Sequence, residues 1–141
     1  MNKVIESYEN YREEDRLTTN NARKIEFITT VRAFDETFPD NAKILDCASG
    51  AGIYSFYYAE KGYDVTACDI TPRHIKIINQ ELKNKPYDMK TFVNDAVDLS
   101  MFDDEIFDIV LCMGPIYHLT DKFLREKCLS ECIRVLKIGG L

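Results

Sequence analysis

A chain of 141 residues, 45% hydrophobic and 30% charged, holds enough apolar material for one packed domain that buries roughly two-thirds of its unfolded surface. Its formal charge of −6, with basic residues interleaved among acids, gives no footprint for nucleic acid. Five cysteines without paired C-x-x-C spacing argue for free thiols packed as small hydrophobes rather than metal ligands; with no signal peptide and no membrane-length apolar run, that points to the cytoplasm.

Residues 1–41 read as a helical cap or lid. Ser7 to Arg16 is polar, with Tyr8 and Tyr11 spaced along one helical face, and Thr18, Thr19 and Asn20 are candidate N-caps. The spacing of Phe27, Val31, Phe34 and Phe38 predicts a helix over Asn21–Thr37, ended by Phe38-Pro39-Asp40. The plain reading is a helix covering one side of the sheet; as a lid, the segment would bring Tyr8, Tyr11 and Arg16 within reach of a site.

Residues 42–141 then alternate strand and helix. Strands are expected at Lys43–Cys47, Asp64–Asp69, Lys90–Val93 and Ile106–Met113. The first helix ends at Gly62. The second starts with Thr71 as N-cap and Pro72 at the first helical position, carries Ile75, Ile78 and Leu82, and stops near Asn84. His74 on that helix reads as a surface residue. A last helix spans Asp121–Leu136. Val/Ile/Leu-rich strands alternating with helices predict an α/β fold: a Rossmann-like parallel sheet with helices on both faces, a three-layer sandwich.

The chemistry concentrates in Ile44 to Asp69. An apolar strand enters the small-residue turn Ala48-Ser49-Gly50-Ala51-Gly52, a helix follows, and a second strand stops at Asp69. Small residues let a ligand approach the backbone, a helix start presents unpaired N–H groups, and a strand-end carboxylate can accept from a ribose diol. Turn glycines and a capping acid are the plain alternative, but the order strand, turn, helix, strand, acid favours an adenosine-type ligand. Asp46, near the end of a buried strand, needs N–H partners or a ligand.

Against a dinucleotide fingerprint, Ser55 falls where the third glycine belongs. Taken instead as D-x-G-x-G-x-G, the run starts at Asp46, with Ala48 in place of the leading glycine and Gly50 and Gly52 following. In this form the chain resembles class I S-adenosylmethionine-dependent methyltransferases. Asn94-Asp95-Ala96 after the third strand, Phe107–Met113 leading into Gly114-Pro115-Ile116-Tyr117-His118, and Leu136-Lys137-Ile138-Gly139-Gly140 follow in the order that family uses. The resemblance implies S-adenosylmethionine as cofactor and a small-molecule methyl acceptor. Asp46, Ala48, Gly50 and Gly52 would face the methionine moiety, and Asp69 the ribose. Ile70 would lie on the adenine, whose edge Asn94, Asp95 and Ala96 would read, with Met113 near the sulfonium. An imidazole ordinarily titrates near neutrality, which makes His118 the candidate general base; capping or packing beside the helix that begins near Asp121 is the equal alternative. An NAD-dependent oxidoreductase and a non-catalytic cofactor-binding fragment are the alternatives. The family's sheet has seven strands, so the chain reads as truncated after the fourth strand and its helix, leaving an exposed strand open to homodimer pairing.

Overall fold

The computed structural model describes Lys3, Ile5, Glu6 and residues 21–141. The expectations for Tyr8, Tyr11, Arg16, Thr18, Thr19 and Asn20 lie outside the described residues. The chain runs through α1 (Asn21–Asp35), β1 (Lys43–Asp46), α2 (Ile53–Glu60), β2 (Asp64–Asp69), α3 (Pro72–Leu82) and β3 (Lys90–Val93). It continues through β4 (Ile109–Leu111), the single turn α4 (Pro115–His118) and α5 (Lys122–Val135).

All strand pairs are parallel, in the order β3-β2-β1-β4. The first three strands build outward in one direction, and the chain then crosses back to place β4 on the other side of β1. Such a reversal opens a crevice at the carboxyl ends of the strands, here between β1 and β4.

Side-chain alternation along β1 divides the core into two layers. Ile44 points into a cluster with Val65, Ile78, Ile109 and Tyr58, against which Phe27, Phe34 and Phe38 pack. Leu45 and Cys47 join the opposite cluster, with Leu99, Phe107, Cys128, Cys132 and Val135. Helices therefore cover both faces, as an all-parallel sheet requires. Tyr58, fully buried, meets the rings of Phe38, Tyr57 and Tyr63 at centroid distances of 5.2, 5.1 and 5.3 Å. Burial of one such ring contributes about 2–3 kcal/mol. Phe27 ties α1 to α2 through Tyr54 and Tyr57, and Asp35 accepts from both Tyr57 and Lys61.

Three local expectations change. The fourth strand is shorter than Ile106–Met113. Phe107 pairs with the chain after α5, accepting from Lys137 N–H and bridging to Leu136, and the β1–β4 ladder ends where Cys47 N–H meets the Leu111 carbonyl. Thr71 occupies the N-cap position of α3 without a side-chain capping bond; its own N–H is instead held by Asp69. His74 is not on the surface but 1% exposed.

β4 lies at the sheet edge. Its outer side is already engaged by Leu141, which accepts from Val110 N–H and donates to the Asp108 carbonyl.

Candidate functional site

At the carboxyl ends of the strands lies one cavity of about 880 Å³, within the range of small-molecule sites. β1 and its turn contribute Asp46, Ala48 and Gly50 to its wall. The end of β2 contributes Asp69 and Ile70, and the loop after β3 contributes Asn94, Asp95 and Ala96. Met113 and His118 close the β4 side. Gly52 is the expected residue that does not line it. Its φ is +88°, and a Cβ added there would lie 2.9 Å from Ile78 Cγ1. Glycine therefore turns the chain into α2 at this position and lets α3 pack closely.

The glycine turn is clamped from beneath. Asp69 Oδ2 accepts from Gly50 N–H at 2.8 Å, while Oδ1 accepts from Thr71 N–H at 2.8 Å and lies 3.0 Å from His74 Nδ1. Burial alone would push the Asp69 carboxyl up, but His74 and the two N–H groups outweigh it and hold it below the ordinary carboxylate range. A carboxylate has about four lone-pair directions. Three are spent within the chain, which leaves one for a ligand hydroxyl rather than the two a ribose diol would offer. Asp69 therefore positions the turn as well as facing the cavity.

Asp46 has the opposite electrostatics. Its carboxylate is 3% exposed, and burial pushes its pKa up to about 7. Ser55, on α2, donates to Asp46 Oδ2 at 2.7 Å and offsets part of that shift, while the neighbouring charge of Asp69 adds to it. A cation placed beside Asp46 would favour its ionised form.

The loop after β3 is held by Asn94, whose amide donates to the carbonyls of Asp95 and Asp98, and by Asp95 Oδ1, which accepts from Val97 N–H. Asn94 thus acts mainly on the loop that presents Asp95. His118 ends α4 at the exposed rim.

Three contributors escape the sequence reading. Ser55 stands out there only as a failed third glycine. Thr71 lines the cavity with a fully buried hydroxyl that has no hydrogen-bond partner among the described residues. Glu26 brings α1 to the cavity wall. The position of His74 is legible in principle, because it lies four residues before Ile78 and eight before Leu82 on the apolar stripe of α3.

A doubly wound sheet with a glycine turn, strand-end acids and a cleft at its switch point defines a nucleotide-type binding site. Residues 44–140 match the methyltransferase domain family, and the chain belongs to it. The glycine/sarcosine N-methyltransferase of Parasynechococcus marenigrum is 31% identical over 99 residues, 70% of this chain and 35% of that protein. The PH0226 protein of Pyrococcus horikoshii OT3 superposes with a TM-score of 0.78 at 27% identity, covering 96% of this chain and 62% of that one. The N-methyltransferase NodS of Bradyrhizobium japonicum, solved with S-adenosyl-L-homocysteine, shares the fold with a TM-score of 0.79 at 18% identity, covering 96% and 67%. The chain spans well under half the length of the curated relatives it matches, from 35% to 43%.

Proposed function

We propose that this chain carries the cofactor-holding part of an S-adenosylmethionine-dependent methyltransferase acting on a small-molecule acceptor by in-line displacement. The observation that carries the reading is the shared cavity. Residues from the ends of all four strands converge on one space, and the buried Thr71 hydroxyl, unpartnered among the described residues, and the small-residue glycine turn fit a polar nucleoside ligand.

Bound there, S-adenosylmethionine supplies an electrophilic methyl group on a sulfonium. Asp46 and the Ala48–Ala51 backbone would hold its methionine end, the residual acceptor capacity of Asp69 would take a ribose hydroxyl, and Ile70 would pack on the adenine. Asp95, presented by Asn94 and Ala96, reads the adenine edge. Met113 borders the reacting end. Because the reaction disperses charge, the chain contributes chiefly alignment and exclusion of water. His118 at the rim takes the acceptor's proton where the nucleophile carries one.

α1 forms part of the cover over this site, supported by Glu26 at the cavity wall and by the docking of α1 on α2. The net charge of −6 disfavours nucleic acid as substrate. No helix among the described residues is long and apolar enough to cross a membrane, and all five cysteines are free, which supports a reducing cytoplasm. Pairing of two copies through β4 belongs to the same reading, although Leu141 already takes hydrogen bonds on that edge.

Calorimetry decides between ligands. The chain should bind S-adenosylmethionine and S-adenosylhomocysteine with a stoichiometry of about one and leave NAD unbound. NAD binding in preference to S-adenosylhomocysteine would overturn the assignment and restore the oxidoreductase alternative.

A further inference from the structure

Three of the five cysteines meet at one point beside the cavity and a fourth adjoins them, although they come from three separate elements. Cys47 follows β1, Cys112 follows β4, and Cys128 and Cys132 lie one turn apart on α5. Cys47 Sγ lies 4.0 Å from Cys132 Sγ, and Cys112 Sγ lies 3.9 Å from Cys128 Sγ. The sulfurs of Cys47, Cys112 and Cys132 all fall within 4.8 Å of one another. Cys68, equally buried in β2, takes no part in these sulfur contacts.

We propose that Cys47, Cys112, Cys128 and Cys132 form a binding site for one thiophilic closed-shell cation, Zn2+ or Cu+, at the joint between the sheet tips and α5. The distances carry this. A tetrahedral ion with metal–sulfur bonds of about 2.3 Å sets its sulfurs about 3.8 Å apart, close to the Cys47–Cys132 and Cys112–Cys128 contacts. A triangle with one edge of 4.0 Å and none above 4.8 Å has its centre no more than about 2.8 Å from each corner, so the three-sulfur core needs little movement to close on an ion. Cys128, whose sulfur touches Cys112 but lies outside the three-sulfur group, supplies the fourth ligand on rotating inward.

Chemistry and access agree with the geometry. Soft thiolates select Zn2+ and Cu+ over the hard cations. The two strand ends and the helix are packed elements, so the ligands are largely preorganised. Cys112 is half-buried on the cavity wall, which gives an ion a route in. Each ligating thiol gives up its proton to solvent as its bond to the metal forms, and no electron transfer is involved. As mere filling, four touching thiols are poorer than branched hydrocarbon, since S–H is a weak donor and a small apolar group.

The test is metal binding by the reduced, untagged chain under anaerobic conditions, independent of any methyl transfer. Co2+ serves as the optical probe. One equivalent should bind with the intense thiolate-to-cobalt charge-transfer band of three or four sulfur ligands, and Zn2+ should displace it. Competition with bicinchoninate reads Cu+ separately and identifies which ion is held more tightly. Cys132→Ala and Cys112→Ser should each weaken binding at least about tenfold, while Cys68→Ala, a comparable loss of a buried thiol, should leave it unchanged. Absence of the charge-transfer band overturns the site. So does equal loss in all three variants, or a folded Cys132→Ala chain that binds as tightly as the parent. If Cys132→Ala fails to fold, the half-buried Cys112→Ser carries the same decision.

Discussion

At the scale of single residues, two neighbouring carboxylates have been driven apart by their surroundings. Asp46, deeply buried and held by the Ser55 hydroxyl and the Ala48 N–H, lies high, whereas Asp69 is held by two backbone N–H groups and an imidazole and lies low. Only the second stabilises the fold as an anion. Because its folded pKa is depressed, that stabilisation is fully present above the unfolded carboxylate value near 3.9 and disappears as pH falls through the lower folded value. Asp69→Asn keeps the shape but loses the charge-assisted bonds and should cost about 2–3 kcal/mol at neutral pH. Urea titrations of both proteins should show that gap narrowing once the pH drops below about 4, where the unfolded carboxylate protonates, and closing as pH falls through the lower folded value. A gap that stays constant from neutral to acid pH would mean that the charge of Asp69 plays no part in holding the Gly50 turn.

Among the elements, α5 is fastened at its far end by one side chain. Arg134 donates to the carbonyls of Leu99 and Phe102 and to Asp104 and Glu131, and Glu131 in turn accepts from Leu99 N–H. This fork connects the helix to the loop between β3 and β4. Arg134→Ala should cost about 2 kcal/mol, lowering the melting temperature by roughly 5–8 °C for a domain of this size. Arg134→Lys should recover little of it, because a single ammonium cannot span two carbonyls and two carboxylates; full recovery by lysine would show that charge alone matters there. The same element shows what the sequence can and cannot disclose. Asp121 is placed from sequence at the start of the last helix, where it proves to be the cap and accepts from Phe123 N–H, and β2 and β3 begin and end where the sequence places them. β4 is overestimated from sequence because Phe107 finds its partner only after α5 has returned to the sheet. His74 is misplaced because its polarity outweighs its position on an apolar stripe. The meeting of Cys47, Cys112 and Cys132 is illegible because no local spacing records contacts across 85 residues.

For the whole molecule, the four strand tips that surround the cavity belong to segments far apart in the chain, and a shared ligand is what would couple them. S-adenosylhomocysteine at a hundred times its dissociation constant should stabilise the fold by about 2.7 kcal/mol, a rise of roughly 10 °C in melting temperature. A melting shift alone does not locate the ligand, so amide exchange should be read beside it. Protection is expected together at Ser49–Gly52, at Ile70 and Thr71, at Asn94–Ala96 and at Met113 and Gly114, because each segment supplies wall to the same cavity. The outer face of α5, with Phe123 and Ile133 69% and 71% exposed, should exchange as before. Protection confined to the first two segments would reduce the site to the glycine turn and β2, removing β3 and β4 from cofactor recognition. Concerted protection of all four would place one nucleoside across the switch point between β1 and β4, where the reversal of strand order opens the sheet.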